Sequence, residues 1–349
     1  FQLDGKIFRT VTAVSAPDYE YVRESGLIKE LIDSGKLVPE ALVDKTQQTL
    51  PFNNAEYILE HPRLDVISYP YEWSFPLLKS AAIHHLDIAL EALKYGVSLS
   101  DATAYNVQFI GVLPIFIDHL SFRRYKEGEY WAGHKQFCDQ FLNPLLLRSL
   151  LGVSHNAWYR GKLEGIPAEE LSPLLKFHHK IKLGVFTNVV LQAKFQSYSG
   201  KKSKSINTKK RPFSKQAFEY MLRGLKKQIS GLQQKDTGET VWQEYANENS
   251  YDDEEAILKC EFIAEFSNRI KPGIAWDFGC NTGEYSQVLL ENGAASVVGF
   301  DFDQGALEKA YARAAAHDLT FLPLYFDAAN PSPDQGWAQN ERGGLSSRA

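Results

Sequence analysis

The sequence predicts an α/β fold, in which a partial parallel sheet at the C-terminus follows an α+β region. An apolar run at residues 274–278 leads into Gly279 and Gly283, and the residues after them carry apolar side chains at helical spacing. That order predicts a strand, a tight turn and a helix. Two further apolar runs, residues 294–300 and 319–326, are each followed by an aspartate and predict two more strands of the same sheet.

The length of the chain predicts more than one domain. Its 349 residues, 44% of them hydrophobic and 13% aromatic, are enough for two buried cores. We predict an α+β domain at 1–196, a basic linker and helix at 197–235, and the domain with the parallel sheet at 236–349. The linker is predicted from ten lysines and arginines against one acid between residues 201 and 227.

Charge and cysteine content limit the partners and the compartment. A net charge of −5 creates no overall field that would attract nucleic acid, so a nucleic-acid partner is not expected. Cys138, Cys260 and Cys280 are far apart and form no C-x-x-C pair, which is typical of a reducing compartment and predicts a cytoplasmic protein. No apolar run reaches the roughly 18 residues of a membrane span, so no membrane contact is predicted.

Periodicity and helix-ending residues predict the first elements of the α+β region. Residues 4–14 predict a turn and a strand, and residues 21–32 predict a helix that is interrupted at Gly26. Ser74, with a proline two residues later, begins a long helix that ends at Gly96.

The second half of this region is predicted to be helical. From residue 122 to about 196 the apolar pattern indicates amphipathic helices, the first of them broken or kinked at Pro144. Residues 213–229 then predict a basic helix, and another helix is expected from about Asp253, just before the parallel sheet.

Polar residues surround a predicted β-hairpin in the α+β region. Two apolar runs flank Gly111, and folding the chain there brings Asn106 and Asp118 to the open end of the hairpin. Asp101 lies on the loop just before it. Carboxylate and amide oxygens are the ligands that Mg²⁺ prefers in proteins, so Asn106 and Asp118 are candidate metal ligands.

The glycine turn is shaped to hold a ligand. Gly279 supplies unusual backbone angles, and Gly283 is expected to remove a side chain where a ligand touches the main chain. A phosphate-binding P-loop needs Lys and Ser or Thr after its last glycine, but Glu284 follows here. The glycine spacing also differs from the dinucleotide fingerprint, so NAD fits less well.

The loop Asp277-Phe278-Gly279-Cys280-Asn281-Thr282-Gly283 resembles motif I of class I S-adenosylmethionine-dependent methyltransferases. The resemblance implies that the loop wraps the methionine end of S-adenosylmethionine, that Asp301 accepts hydrogen bonds from the ribose hydroxyls, and that Asp327 meets the adenine amino group. The residues implied to bind this small-molecule cofactor are Asp277, Gly279, Cys280, Asn281, Thr282, Gly283, Asp301, Phe302, Asp327 and Ala328.

The same resemblance implies a partial Rossmann-like methyltransferase sheet. Complete domains of this class have seven strands, whereas the sequence predicts three, so we expect a domain that is incomplete at its C-terminus and transfers methyl groups weakly or not at all. The residues that bind the methyl acceptor usually come from later strands, and the sequence does not indicate the acceptor.

The spacing of Asp101, Asn106 and Asp118 resembles the catalytic and metal-binding loops of the protein-kinase-like fold, especially small-molecule phosphotransferases. The resemblance implies Mg-ATP as cofactor, Asp101 as the base that positions the acceptor hydroxyl, and Asn106 and Asp118 as magnesium ligands. Arg9 stands nearest to the position of the strand lysine, with Glu24 or Glu30 as its expected partner. An arginine does not simply replace that lysine.

The sequence is therefore compatible with three functions. The leading one is an S-adenosylmethionine-dependent methyltransferase. The alternative is an ATP- and Mg-dependent phosphotransferase, or a pseudokinase-like protein that binds nucleotide through its first domain. The third is a binding module that has no chemistry of its own.

Overall fold

The computed structural model describes residues 1–44, 54–194, 213–235 and 253–348, and within them the chain is a mixture of helices and strands. This mixture of helices and strands agrees with the expected α/β class. Residues 197–212 of the predicted basic linker lie outside the described residues, as does the predicted boundary at residue 236.

The first part of the chain forms a four-stranded antiparallel sheet with order β1-β2-β4-β3. Its strands are β1 (Gln2–Leu3), β2 (Lys6–Thr12), β3 (Ala41–Leu42) and β4 (Ala55–His61). Helices α1 (Ala16–Glu24) and α2 (Leu27–Asp33) follow β2. They are separated at Gly26, whose φ of +85° is the left-handed conformation that glycine adopts without strain. The predicted strand and interrupted helix are confirmed.

The long helix α3 (Phe75–Lys94) runs through the centre of the molecule, and eleven of its residues are buried. Its bounds agree with the predicted start at Ser74 and end at Gly96. The hairpin predicted around Gly111 is also present, with strands β6 (Val107–Ile110) and β7 (Leu113–Phe116).

One short strand contradicts the sequence prediction. Residues 122–124 were expected to begin a helical region, but they form β8 (Phe122–Arg124), which pairs antiparallel with β5 (Val97–Leu99). A three-residue strand is too short to show a period of two in the sequence, so only the pairing with β5 reveals it.

The helical region begins at His134 and is continuous to residue 151. Helices α4 (His134–Phe137) and α5 (Asn143–Leu146) alternate with π-helical turns at residues 138–142 and 147–151. Pro144 cannot donate a backbone hydrogen bond, and the wide turns lie on both sides of it. The predicted distortion at Pro144 is therefore confirmed.

Further helices complete this region: α6 (Asn156–Gly161), α7 (Ala168–Leu174), α8 (Phe177–Lys180), α9 (Leu183–Val185) and α10 (Lys215–Ser230). The predicted basic helix corresponds to α10. It buries Phe218, Leu222, Leu225 and Ile229 and packs against α3. Arg223 and Lys227 are exposed, whereas Lys226 forms an ion pair with Asp87 of α3.

The last part of the chain forms a parallel sheet with order β11-β10-β9. Its elements are α11 (Asp253–Ile270), β9 (Ile274–Phe278), α12 (Glu284–Glu291), β10 (Ser296–Asp301), α13 (Gln304–Ala316), β11 (Phe321–Tyr325) and α14 (Leu345–Arg348). The three predicted strands and the helix after the glycine turn are confirmed.

The two parts of the chain share one hydrophobic core among the described residues. Trp73 forms an antiparallel bridge with Leu324 of β11, and the turn of the β6-β7 hairpin lies against the start of that strand. The approach is so close that a Cβ on Gly111 would be 2.7 Å from the carbonyl oxygen of Leu319. The parallel sheet is thus anchored on the α+β region through its β11 edge.

Candidate functional site

The glycine turn lies at the carboxyl end of β9 and connects it to α12. Gly279 and Gly283 both have a φ of +79°, and Asn281 between them has a φ of +48°. These left-handed conformations reverse the chain within five residues. The backbone N–H groups of Gly279 and Cys280 both donate to the carbonyl oxygen of Phe300, at 2.8 and 3.1 Å. The turn is therefore fixed to the middle strand β10.

The two glycines have different surroundings, and the expected contact between a ligand and the main chain at Gly283 stays a prediction. A Cβ on Gly283 would clash with the ring of Phe321, lying 3.0 Å from its Cζ, so the missing side chain makes room for the core. A Cβ on Gly279 would meet no atom within 4 Å. The open space that a ligand could fill is therefore beside Gly279.

Cys280 also serves the packing of the sheet. Its side chain is buried, and a Cβ on Gly299 would lie 2.8 Å from its Sγ. Burial holds the pKa of the thiol well above its ordinary value. Cys280 therefore contributes a small apolar group under the turn. Its backbone N–H, rather than its thiol, bonds to the end of β10.

Asp277 supports the start of α12. The Ser286 hydroxyl donates a hydrogen bond to Asp277 Oδ2 at 2.7 Å, which joins the end of β9 to the first turn of the helix. Burial raises the pKa of Asp277, and the hydrogen bond from Ser286 opposes that effect.

Asp301 connects β10 to the glycine turn. Its Oδ2 accepts a hydrogen bond from the backbone N–H of Asn281 at 2.8 Å, and its Oδ1 accepts one from the N–H of Asp303, also at 2.8 Å. Each carboxylate oxygen has a second lone pair, so Asp301 can also accept hydrogen bonds from two neighbouring hydroxyls. Phe302 follows it with 60% of its surface exposed.

Asp327 and Ala328 lie two and three residues beyond the end of β11. Asp327 Oδ1 accepts from the N–H of Ala329 at 3.0 Å, and Ala328 is exposed. The strands β9, β10 and β11 are parallel, with Gly299 opposite Asp277 and Tyr325 opposite Asp301. Asp277, Asp301 and Asp327 therefore lie at the carboxyl ends of the strands, on the same side of the sheet, which is called its carboxyl edge below. The parallel topology thus brings together the residues that the sequence singled out.

Arg313 contacts the glycine turn and was not predicted as a site residue. From α13 its Nε donates to the carbonyl oxygen of Thr282 at 3.0 Å, and its Nη1 donates to Gln287 at 3.0 Å. The guanidinium therefore holds the glycine turn and the first part of α12 against α13. A basic residue near a helix end has no distinctive pattern, so this contact could not be predicted from the sequence.

The structure also brings Asn106 and Asp118 together. Asn106 Nδ2 lies 3.5 Å from Asp118 Oδ2, and both contact Ser121, whose hydroxyl donates to Asp118 at 2.5 Å and lies 2.9 Å from Asn106 Nδ2. Asp101, on the preceding loop, accepts the backbone N–H of Thr103 at 3.1 Å.

The expected partner of Arg9 is wrong. Its guanidinium forms an ion pair with Asp118, which is distant in sequence, and not with Glu24 or Glu30 on the helices. The second carboxylate oxygen of Asp118 is taken by Ser121. Across the described ranges, no group of three or more histidine, cysteine, aspartate or glutamate side chains is arranged to hold a metal ion.

Comparison with known proteins places the chain in a family. No family model matches it. Nodulation protein NoeA of Rhizobium meliloti (strain 1021) is 44% identical over 350 residues, and the alignment covers 100% of this chain and 73% of that protein. Within the part of the chain that the structure describes, none of the helices is long and apolar enough to cross a membrane. On the extent of this identity, the chain belongs to the NoeA family of nodulation proteins.

Proposed function

We propose that the chain binds S-adenosylmethionine at the carboxyl edge of the β9-β10-β11 sheet and is the cofactor-binding part of a methyltransferase. The observation that supports this most is the contact between Asp301 and Asn281. It fixes a diol-binding carboxylate at the end of the middle strand against a glycine turn that is open on the side of Gly279.

The residues at this edge suit the parts of the cofactor. Asp301 would accept hydrogen bonds from the ribose hydroxyls, and Asp327 would accept one from the adenine amino group. The space beside Gly279 would admit the methionine part, and the exposed ring of Phe302 would cover an apolar face of the nucleoside. The cofactor supplies the reactive methyl group, while the protein binds and orients it.

The name of the relative suggests the biological process to which this activity belongs. The relative is named a nodulation protein, and we propose that this chain acts in nodulation as well. The three cysteines of the described residues are free thiols, which supports a cytoplasmic location.

Calorimetry with S-adenosylhomocysteine tests the proposal. We expect saturable one-to-one binding that is lost, or weakened by about tenfold or more, in Asp301→Ala, because a charge-assisted hydrogen bond contributes about 1.5–3 kcal/mol. Asp318→Asn is the matched control. Asp318 is exposed, precedes β11 at the opposite edge of the sheet, and has a φ of +50° that asparagine tolerates. No binding by the parent chain, or equal binding by both variants, would contradict the proposal.

A second candidate function is Mg-ATP-dependent phosphotransfer, with Asp101 as base and Asn106 and Asp118 as metal ligands. The proximity of Asn106 and Asp118 favours it. The ion pair between Arg9 and Asp118 opposes it, because a guanidinium competes with Mg²⁺ for the same carboxylate. Calorimetry with Mg-ATP on the parent chain and on Asp118→Ala decides it: binding that is lost in the variant supports this function, and absence of binding excludes it.

A further inference from the structure

A cavity of about 700 Å³ lies between the antiparallel sheet and the segment that carries Asp118. Its walls come from β2, from the end of β4 and the segment after it (residues 61–67), from Ile117 and Leu120, and from α14. Small-molecule sites usually measure about 300–1,000 Å³, and the volume of this cavity lies in that range. Its lining is more polar than that of a typical site, because charged and polar side chains alternate with apolar ones. It is separate from the glycine turn and its aspartates.

The charged side chains of the cavity are mainly arginines. Among the described residues, Arg9, Arg63 and Arg348 line it, against one carboxylate, Asp65. Arg348 is neutralised by an ion pair with Glu72. Arg9 uses its Nη1 for Asp118, which leaves donors on its other two nitrogens. Arg63 is exposed and has no hydrogen bond or ion pair to any residue that the structure describes. The cavity therefore offers two guanidinium groups to an anion.

His61 adds a polar group that lacks a partner. The side chain lines the cavity and is 7% exposed. Its Nδ1 lies 2.9 Å from the carbonyl oxygen of Pro39, so Nδ1 carries the proton and Nε2 is left as an acceptor. Burial lowers the pKa of His61 and keeps the ring neutral. Nε2 is buried without a hydrogen-bond partner among the described residues, which leaves a lone pair that requires a donor.

We propose that this cavity binds an organic phosphate without a divalent cation. The phosphate contacts Arg9 and Arg63, since a guanidinium group can donate two parallel hydrogen bonds to two oxygens of one phosphate. The body of the ligand packs on Phe8, Val38, Ile117 and Leu120 and donates an N–H or O–H hydrogen bond to His61 Nε2. A metal is not needed because arginines supply the positive charge, and because Asp118 is already bound by Arg9 and Ser121.

The test is calorimetry of the whole chain with AMP in EDTA, followed by the same titration with added Mg²⁺ and by a titration with inorganic phosphate. We expect one-to-one binding of AMP that Mg²⁺ does not strengthen, and weaker binding of inorganic phosphate, which lacks the body that contacts His61. Arg63→Gln should weaken AMP binding by about tenfold, which is about 1.4 kcal/mol. Because Arg63 is exposed and unpaired, this variant is expected to fold normally.

Lys6→Gln is the control, since it removes one positive charge from the same strand as Arg9 but outside the cavity. His61→Phe provides a second variant and should weaken AMP binding while leaving the weak binding of inorganic phosphate unchanged. The inference is overturned by absence of AMP binding in EDTA, by binding that requires Mg²⁺, or by equal affinity of the Arg63→Gln and Lys6→Gln variants. S-adenosylhomocysteine binding in these variants reports on the other site, so the two proposals fail independently.

Discussion

The ring of Phe321 occupies the space in which a side chain on Gly283 would lie. Phe321 is fully buried at the start of β11, and a Cβ on Gly283 would be 3.0 Å from its Cζ and still closer to its Cε1. The same ring fills the space beside Gly299. A single aromatic side chain thus packs the glycine turn onto the sheet.

The first prediction concerns Gly283→Ala. We expect it to destabilise the protein by about 2–4 kcal/mol, because it combines an unfavourable φ with overpacking against a buried ring. Chemical denaturation followed by circular dichroism measures the change. A loss below about 1 kcal/mol would show that Phe321 moves aside easily, contrary to its full burial.

Gly279→Ala should behave differently, although the two glycines share the same φ of +79°. Only the backbone penalty applies, about 1–2 kcal/mol, since no atom lies within 4 Å of the added methyl group. The methyl group would instead fill the open space beside the turn, so we expect the affinity for S-adenosylhomocysteine to fall by tenfold or more by the affinity scale of about 1.4 kcal/mol per decade. Unchanged affinity in a folded variant would locate the ligand elsewhere.

The pKa of Asp277 makes a predictable contribution to the pH dependence of stability. Because burial raises this pKa in the folded state, the native protein holds the proton more tightly than the unfolded chain. The stabilising contribution is complete below the unfolded pKa of about 3.9 and is lost as the pH rises through the folded pKa.

The measurement for Asp277 is the difference in unfolding free energy between Asp277→Asn and the parent chain as a function of pH. We expect this difference to shift in favour of Asp277→Asn as the pH rises from 4 towards neutrality, because the variant has no carboxylate to ionise. A difference that is constant with pH, or that shifts the other way, would contradict the raised pKa.

The ion pair between Arg9 and Asp118 should stabilise the contact between the antiparallel sheet and the hairpin region. The Asp118 side chain is 13% exposed, so solvent screens the pair less than it screens a surface pair. A double-mutant cycle with Arg9→Met and Asp118→Asn should give a coupling free energy of about 1–3 kcal/mol. A coupling free energy below about 0.5 kcal/mol, as surface pairs give, would mean that the two residues do not form this pair in solution.

Glu72 and Arg348 form a second long-range ion pair, between the segment before α3 and the helix α14. Glu72 is buried, and Arg348 Nη1 donates to its Oε2 at 3.0 Å. Burial raises the pKa of Glu72, an effect that Arg348 opposes. Arg348→Met should therefore destabilise the protein by about 3–5 kcal/mol at pH 8, because it leaves an unpaired buried carboxylate.

The loss caused by Arg348→Met should be smaller at pH 5. A group with a raised folded pKa contributes stability at low pH and loses it as the pH rises, and removing the arginine raises that pKa further. Adding Glu72→Gln to the variant should restore most of the stability at pH 8 and remove the pH dependence. If the double variant is no more stable than Arg348→Met, the effect does not come from the charge of Glu72.

Much of the local structure could be predicted from the sequence. The hairpin at Gly111, the interrupted helix at Gly26 and the succession of strand, glycine turn and helix at residues 274–291 all follow from apolar periodicity and from glycine. The short strand at residues 122–124 could not be found this way, because three residues carry no periodic signal. The methyltransferase and phosphotransferase functions stay predictions.

The sequence by itself determined which residues stand at the ends of the predicted strands, because that depends on neighbours along the chain. Only the tertiary structure decided which of them meet: Arg9 pairs with Asp118 across 109 positions, and Glu72 with Arg348 across 276. It also decided that Gly283 serves the core and Gly279 faces open space. The physical reason is that contacts between distant residues depend on how whole elements pack, and local patterns contain no information about that packing.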